Sequence, residues 1–229
     1  MPTLLFANQK GGVGKTTLAV LYANHLSQSR PECQVLLVDM DLQKSIKNLR
    51  KEDESVYDKE MFRYDVEDYF LEDQKEASHI MSVSKKMCQE DNNSVIIFDL
   101  PGTINDDTLI PILWEGDYIV CPMRYDQVTM SSTSTFMAIL KRIKGKRFDK
   151  DRILFIPNNI ASKEGTAKEK EARSKANDII NTHFGVVMPQ IPECVEMKRL
   201  NTLINTKRQE EKLKCCFEAL DNVFFSKKQ

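Results

Sequence analysis

The stretch Gln9-Lys10-Gly11-Gly12-Val13-Gly14-Lys15-Thr16-Thr17 lies between an apolar run and a segment with helical spacing. The run Thr3–Asn8 (TLLFAN) is typical of a strand, and residues 16–29 repeat apolar side chains at helical intervals. In a glycine-rich turn that leads into a helix, backbone N–H groups point toward one spot and attract an anion. Glycine lets such a turn approach the anion closely. The stretch therefore predicts a phosphate-binding loop in a strand–loop–helix unit.

Four further short apolar runs predict the rest of the sheet. They are Val35–Met40 (VLLVDM), Val95–Leu100 (VIIFDL), Tyr118–Met123 (YIVCPM) and Ile153–Pro157 (ILFIP). Near-continuous apolar runs are typical of strands that are buried on both faces of a parallel sheet. Their alternation with helical patterns predicts a doubly wound α/β fold with a mainly parallel sheet, in one domain that spans residues 1–229.

Composition excludes several classes of protein. The chain has 229 residues, of which 41% are apolar, so it can bury a real core. Its 33 basic and 34 acidic residues leave a net charge of −1, which excludes a uniformly basic nucleic-acid protein. No apolar stretch reaches the length of a membrane helix, no signal-peptide pattern is present, and the six cysteines form no zinc pattern. We therefore expect a cytoplasmic protein.

The charges are nevertheless segregated along the chain. Residues 51–78 carry a net charge of −7 with interspersed aromatic residues, and we expect a partly helical acidic insertion at about residues 51–93. That segment is either an ordinary solvated surface or a surface that binds a partner. Residues 141–150 carry +5 and residues 198–214 carry +4. The last helix, at about residues 206–226, has a core-facing apolar stripe formed by Leu213, Phe217, Leu220 and Phe224.

The loop residues have the chemistry that a nucleoside triphosphate requires. Lys15 would reach the β- and γ-phosphates, the Thr16 hydroxyl would bind Mg²⁺, and Thr17 could donate to the α-phosphate. The usual pattern G-x-x-x-x-G-K-[ST] is not met, because its first glycine falls at Gln9 and an additional lysine, Lys10, is present. The alternative is a glycine turn that binds nothing.

Aspartates follow the next two predicted strands. Asp39 and Asp41 stand two residues apart on an extended chain, so they point the same way and could share a metal–water network. Alternatively, they cap the helix that follows. Asp99 begins the sequence D-L-P-G, and an aspartate there could hold Mg²⁺ through water. Gly102 could offer its backbone N–H to the γ-phosphate.

These motifs resemble the deviant Walker A sequence, K-G-G-V-G-K-T-T here, of the ParA/MinD family of dimeric ATPases. The resemblance implies a P-loop NTPase fold of the deviant Walker A (SIMIBI) type, ATP and Mg²⁺ as ligands, and slow hydrolysis of ATP. It also implies an ATP-sandwich homodimer in which Lys10 reaches the partner's nucleotide. Asp41 would then position the attacking water, and Asp39 would support the Mg²⁺ shell, although Leu42 stands where the family usually has proline.

The same resemblance suggests where the base and the partners bind. Asn158 would read the adenine edge, although the Asn158-Asn159 pair is equally typical of a turn, and the loop at Pro192 would pack on the base. Residues 41–50 resemble ParA-type proteins of conjugative elements, a subgroup labelled TraA-like, and so does the stretch from 98–106 through the strand Tyr118–Met123 to residues 131–136. Relatives bind DNA or membrane in the ATP state under the control of a partner protein.

Of these two surfaces, DNA fits this chain better, because the apolar stripe of the last helix is explained as core. The candidate phosphate-contacting residues are Lys198, Arg199, Lys207, Arg208, Lys212 and Lys214, with residues 141–147 second. The predicted function is a ParA-like ATPase that positions or segregates DNA, is stimulated by a ParB-like partner and is nucleoid-associated. One alternative is a nucleotide-gated scaffold that recruits conjugation proteins and hydrolyses little ATP. Another is a metabolic enzyme with the same loop, for which a substrate domain is missing.

Overall fold

The computed structural model describes residues 2–91, 93–102, 107–161 and 166–225. Within them, one sheet contains seven strands, and every neighbouring pair is parallel. The strands are β1 (Thr3–Phe6), β2 (Gln34–Asp39), β3 (Asp65–Asp68), β4 (Ser94–Asp99), β5 (Tyr118–Met123), β6 (Ile153–Pro157) and β7 (Val186–Val187). Their order across the sheet is β3-β2-β4-β1-β5-β6-β7. This confirms the predicted doubly wound α/β fold in a single domain.

The described helices cover both faces of the sheet. They are α1 (Lys15–Ser29), α2 (Ser45–Glu54), α3 (Gln74–Glu90), α4 (Ile110–Glu115), α5 (Gln127–Lys144), α6 (Ala167–His183) and α7 (Lys207–Phe225). Buried residues of α1, α2 and α7 form one apolar cluster with the sheet, and those of α3, α4, α5 and α6 form the other. The predicted stripe of α7 is confirmed, since Leu213, Phe217 and Leu220 are fully buried. None of the described helices is long and apolar enough to cross a membrane.

Two strands were not anticipated from the sequence. The strand β3 (DVED) contains three acidic residues, and β7 has only two residues. The acidic segment at 51–93 therefore supplies a strand at the sheet edge and a helix, α3, whose Ala77 and Met81 pack in the core. It is built into the sheet and one of its covering layers, apart from Asn92, which lies outside the described residues.

Candidate nucleotide-binding site

The glycine-rich loop connects the carboxyl end of β1 to the first turn of α1. Gly12 (φ 75°) and Gly14 (φ 99°) have left-handed backbones that residues with a side chain rarely adopt. Val13 is buried and anchors the loop, whereas Gly11 and Gly12 are exposed. The loop thus keeps its backbone open to solvent at the amino end of α1, where N–H groups attract phosphate.

The buried side chain of Asn8 fixes the base of this loop. Its Nδ2 donates to the Pro122 carbonyl at 2.8 Å and to the Thr133 Oγ1 at 3.1 Å, while its Oδ1 accepts from the Lys10 N–H at 3.3 Å. Asn8 therefore connects the loop to β5 and α5. Asn8 was not among the residues selected from the sequence, although a polar side chain at the end of an apolar run was the available signal.

Thr16 and Asp99 meet directly across the sheet edge. The Thr16 Oγ1 donates to the Asp99 Oδ2 at 2.6 Å, and the Asp99 Oδ1 is buried without a hydrogen-bond partner among the described residues. Burial raises the Asp99 pKa to about 7, although the Thr16 hydrogen bond and the Lys15 charge oppose this. A buried carboxylate oxygen without a hydrogen bond costs free energy. The Asp99 Oδ1 can therefore accept a hydrogen bond from a further donor.

Lys15 lies between the loop and the aspartates. Burial lowers the pKa of its ammonium group, and the negative charges of Asp99 and Asp41 act in the opposite direction. Gly102 comes close as well, since a Cβ at that position would lie 3.5 Å from the Lys15 Nζ and 3.9 Å from the Gly11 Cα. The structure therefore brings together the glycine-rich loop, Lys15 and the loop after β4, and the phosphate-binding roles assigned to them stay predictions. Residues 103–106 of the quoted stretch 98–106 lie outside the described residues.

Asp39 and Asp41 hold the loop that enters α2. The Asp39 Oδ2 accepts from the N–H groups of Ile46 (2.8 Å) and Lys47 (3.2 Å), and its Oδ1 accepts from the Asp41 N–H at 3.2 Å. Asp39 thus caps α2, which was the alternative reading of this residue. It also pairs in register with Asp99 on β4 and lies beside it at the sheet edge. Its role in the Mg²⁺ shell stays a prediction.

The Asp41 carboxylate is more accessible. It is half-buried, and its Oδ1 accepts from the Gln43 N–H at 3.0 Å. Its negative charge acts on the Lys15 ammonium group, which places the carboxylate near the loop. The assignment of Asp41 as the water-positioning residue stays a prediction.

Lys10 and Thr17 occupy the two ends of the loop. Lys10 is half-buried and lines a shallow pocket of about 390 Å³ with Gly11, Gly12 and Val13. Arg124 and Asp126, after β5, line the same pocket and were not selected from the sequence. Thr17 is half-buried in the first turn of α1. Contact of Lys10 with a second nucleotide stays a prediction.

Asn158 contacts the glycine-rich loop. Its Nδ2 donates to the Val13 carbonyl at 2.9 Å, and a Cβ at Gly14 would lie 2.3 Å from that nitrogen. Asn159 instead has a left-handed backbone (φ 57°), which is typical of a turn. Pro192 forms a bridge with Ile160, so its loop lies beside the residues after β6. The structure thus brings Asn158 and Pro192 to the same sheet edge as the glycine-rich loop, and their contact with the base stays a prediction.

Comparison with known families fits this geometry. Residues 4–203 match the model of the CobQ/CobB/MinD/ParA nucleotide binding domain. The chain belongs to this family. It is therefore a nucleotide-binding domain of the CobQ/CobB/MinD/ParA family, and membership in the TraA-like subgroup stays a prediction. No curated protein sequence matches the chain.

Solved structures show the same fold. A plasmid partition protein from Borrelia burgdorferi, bound to AMPPNP, has 21% identity and a TM-score of 0.68, with 99% of both chains covered. McdA from Cyanothece has 19% identity and a TM-score of 0.68, covering 97% of this chain and 99% of that one. MinD in the MinC:MinD cell division complex of Aquifex aeolicus has 16% identity and a TM-score of 0.71, covering 96% and 95%.

The basic residues of this nucleotide-binding domain divide into two groups. All six first-choice candidates for DNA contact are exposed, and two of them face carboxylates: Arg208 lies 2.9 Å from Glu196, and Lys214 lies 4.0 Å from Glu218. In the second-choice cluster at 141–147, one of the predicted DNA contacts is wrong. Lys144 is buried and donates to the Trp114 and Gly116 carbonyls, so it cannot reach a DNA phosphate without leaving the core.

Proposed function

We propose that this protein is a ParA-like ATPase that binds ATP and Mg²⁺ at the glycine-rich loop. The observation that carries the proposal is the convergence of Lys15, Thr16 and Asp99 beside left-handed glycines at the amino end of α1. The unpaired Asp99 Oδ1 is the second element of fit, because a buried carboxylate oxygen can accept from water of a hydrated Mg²⁺. A bound Mg²⁺ would neutralise charge on the phosphates.

Each residue of the site has a distinct proposed role. Lys15 and the backbone N–H groups of residues 11–17 hold the phosphates, and Thr16 with Asp99 holds the hydrated metal. Gly102 offers an N–H to the γ-phosphate. Asp39 keeps the loop of Asp41 in place through its three backbone hydrogen bonds, so that Asp41 can orient the attacking water. Asn158 and Pro192 recognise the base.

We further propose that ATP bridges two copies of the chain. Lys10 lines an open pocket together with Gly11 and Gly12, and a residue at an open surface can reach a nucleotide held by another molecule. Supplied in trans, its ammonium group would stabilise charge on the transferred phosphoryl group, and turnover would be slow without a partner. The ATP-bound dimer would bind DNA through the exposed residues of 198–214 and position or segregate a DNA element, such as a conjugative plasmid, in the cytoplasm on the nucleoid.

Dimerisation provides the first test. We expect the wild type to be a monomer without nucleotide and a dimer with ATP and Mg²⁺, as measured by analytical ultracentrifugation. Lys15→Ala should abolish ATP binding and dimerisation, because it removes the charge beside the phosphates. Asp41→Ala should retain the dimer but lose hydrolysis. Lys146→Ala, at an exposed position away from the site, is the control. A wild type that stays monomeric with ATP and Mg²⁺ would contradict the dimer proposal.

DNA binding provides the second test. We expect non-specific binding that requires ATP and weakens as salt rises, because contacts to phosphate release counterions. Binding should be measured over a salt series with ATP, with ADP and without nucleotide. If DNA affinity is the same in all three conditions, ATP does not control DNA binding, and that part of the proposal is wrong.

A second candidate function is a nucleotide-gated scaffold with little turnover. Exposed apolar side chains within residues 56–70, among them Val56 and Phe70, favour it because they are available to protein partners. Single-turnover measurements separate the two functions. A scaffold would bind ATP and dimerise, yet hydrolyse ATP no faster than the Asp41→Ala variant.

A further inference from the structure

A cleft lies beside α4, at the edge of the sheet opposite the glycine-rich loop. Two cavities of about 680 Å³ and 290 Å³ adjoin there and share Lys85, Trp114 and Glu115. Asp117 and Arg152 line the smaller cavity and immediately precede β5 and β6, whereas the glycine-rich loop follows β1. Because the described strands are parallel, the cleft lies at their amino ends and is separate from the candidate nucleotide site. We call the two cavities together the α3–α4 cleft.

The smaller cavity contains a buried cation, Lys144. This residue is only 9% exposed, and its Nζ donates to the carbonyls of Gly116 (2.9 Å) and Trp114 (3.3 Å) at the end of α4. An ammonium group has three N–H donors, and the third has no acceptor among the described residues. Burial lowers the Lys144 pKa to about 8, because the charged form loses its hydration. Lys144 therefore offers an anion both a positive charge and a free donor.

The carboxylates around the same cavity are already paired. The pairs are Glu115 with Lys85, Asp117 with the Thr3 N–H and hydroxyl, and Asp149 with Arg152. Four basic and three acidic side chains line this cavity, so one positive charge is left over. Among the described residues, no group of acidic, histidine or cysteine side chains is arranged to hold a metal ion. The cavity therefore favours an anion over a cation.

A second cation is available at the junction of the two cavities. The Arg147 guanidinium lies 4.9 Å from the centre of the Trp114 ring and 3.9 Å from Glu115, and its side chain is 62% exposed. An exposed guanidinium can turn toward a phosphate and donate two parallel hydrogen bonds to it. Arg147 and Lys144 together can therefore hold one phosphate group from two sides.

The larger cavity has a different chemical character. Its α3 side includes the hydroxyl and amide groups of Ser78, Ser82 and Gln89, and its α4 side includes the apolar Ile110 and Pro111 beside the tryptophan. Hydroxyl and amide groups both donate and accept hydrogen bonds, and an aromatic ring packs against the C–H face of a sugar. The volume of about 680 Å³ lies in the ~300–1,000 Å³ range of small-molecule sites. This cavity therefore suits an uncharged body that carries hydroxyl groups.

We propose that the α3–α4 cleft binds a phosphorylated sugar, with the phosphate in the smaller cavity and the sugar against Trp114 in the larger one. The phosphate has three acceptor oxygens, which suit the free Lys144 donor and the Arg147 guanidinium. The sugar hydroxyls bond to the polar side chains of α3. This site uses none of the residues assigned to ATP, so it stands or fails independently of the proposed ATPase function.

Trp114 provides the readout, because it is the only tryptophan in the sequence and it lines both cavities. The full chain, without nucleotide, is titrated with glucose 6-phosphate, ribose 5-phosphate, glucose and inorganic phosphate while tryptophan fluorescence is recorded. Calorimetry measures the same affinities. The test variants are Arg147→Gln, at an exposed position, and Lys144→Met, and circular dichroism checks that each is folded. The matched control is Arg142→Gln, which makes the same change of charge at an exposed position of α5 that does not line the cleft.

We expect at least one sugar phosphate to bind the wild type and Arg142→Gln equally and to bind Arg147→Gln and Lys144→Met roughly tenfold or more weakly. Glucose should not bind, and inorganic phosphate should bind at least tenfold more weakly than the sugar phosphate. Ser82→Phe, which fills the larger cavity without a change of charge, should weaken binding of the sugar phosphate but not of inorganic phosphate.

Three results would overturn the proposal. The first is an absence of binding by both sugar phosphates. The second is equal binding to Arg147→Gln and Arg142→Gln, which would show attraction by net charge alone and decides the matter even if Lys144→Met does not fold. The third is equal affinity for inorganic phosphate and the sugar phosphates, because it would show that the larger cavity does not contact the sugar.

Discussion

Replacing Asp99 with asparagine should stabilise the nucleotide-free protein at neutral pH and abolish its binding of Mg²⁺–ATP. Burial raises the Asp99 pKa to about 7, whereas the unfolded chain has the ordinary value near 3.8. Because one pKa unit corresponds to about 1.4 kcal/mol, the ionised carboxylate costs the folded protein about 4 kcal/mol above pH ~7. Asparagine avoids that cost, but its amide leaves a donor at the unpaired position, which costs ~1–3 kcal/mol. The expected net gain is therefore ~1–3 kcal/mol.

The sign of this effect depends on pH. Between pH ~4 and pH ~7 the folded wild type binds more protons at Asp99 than the unfolded chain, so its stability falls as pH rises. Asp99→Asn lacks this dependence. Because of its unpaired amide donor, the variant should be ~1–3 kcal/mol less stable than the wild type below pH ~4, and it should be more stable above pH ~7. Urea unfolding, followed by circular dichroism across this range, measures the difference.

Controls separate this effect from a general change in charge. Asp178→Asn removes the same charge at an exposed position of α6 and is the control for the loss of one negative charge. Adding ATP and Mg²⁺ should raise the stability of the wild type and of this control by ligand linkage, but not that of Asp99→Asn. A difference between wild type and Asp99→Asn that stays constant with pH would refute the reasoning, since it would show that Asp99 titrates alike in both states.

Three other substitutions test the structure. His25→Gln should lower stability at neutral pH by up to ~3 kcal/mol, because the two carboxylates that pair with His25 outweigh burial and raise its pKa to about 9. The contribution of His25 to stability should be complete below pH ~6.5 and vanish as pH rises through ~9. Urea unfolding measures it, and His79→Gln, at an exposed histidine, is the control. Gly14→Ala should weaken ATP binding at least tenfold, as measured by calorimetry. The left-handed backbone at this position (φ 99°) disfavours alanine, and the added Cβ would displace Asn158. An unchanged affinity for ATP would contradict the assigned loop geometry. Lys212→Glu should reduce the salt dependence of DNA binding, and an unchanged slope would exclude this residue from the DNA surface.

The sequence was sufficient for the five central strands and the loop between β1 and α1. Strands buried on both faces have an apolar run that is visible locally, and the glycines and lysines of the loop are contiguous. β3 could not be found in this way. Its sequence, DVED, has low strand propensity, and only Val66 is buried. It forms a strand because β2 supplies a partner edge, and this is a long-range contact.

The candidate site likewise has features that the sequence indicated and features that it did not. The sequence indicated which residues have suitable chemistry, including Lys15, Thr16 and Asp99, because their types and spacing reflect the needs of phosphate and metal. It left two readings open for Asp39, and the structure shows that its carboxylate caps α2 whatever further role it has. It also missed Asn8, whose role depends on atoms of Pro122 and Thr133, more than a hundred residues away.

By itself, then, the sequence determined the class of fold, the glycine-rich loop and the segregation of charge, because each is encoded in contiguous residues or in their period. Only the tertiary structure decided which charges are available to partners. Lys144 belongs to a basic stretch but is buried on backbone carbonyls, whereas Asp65 and Glu67 belong to a segment that could have been an ordinary solvated surface and instead lie on an open sheet edge. Exposure depends on how distant segments pack, and no local pattern of residues contains that information.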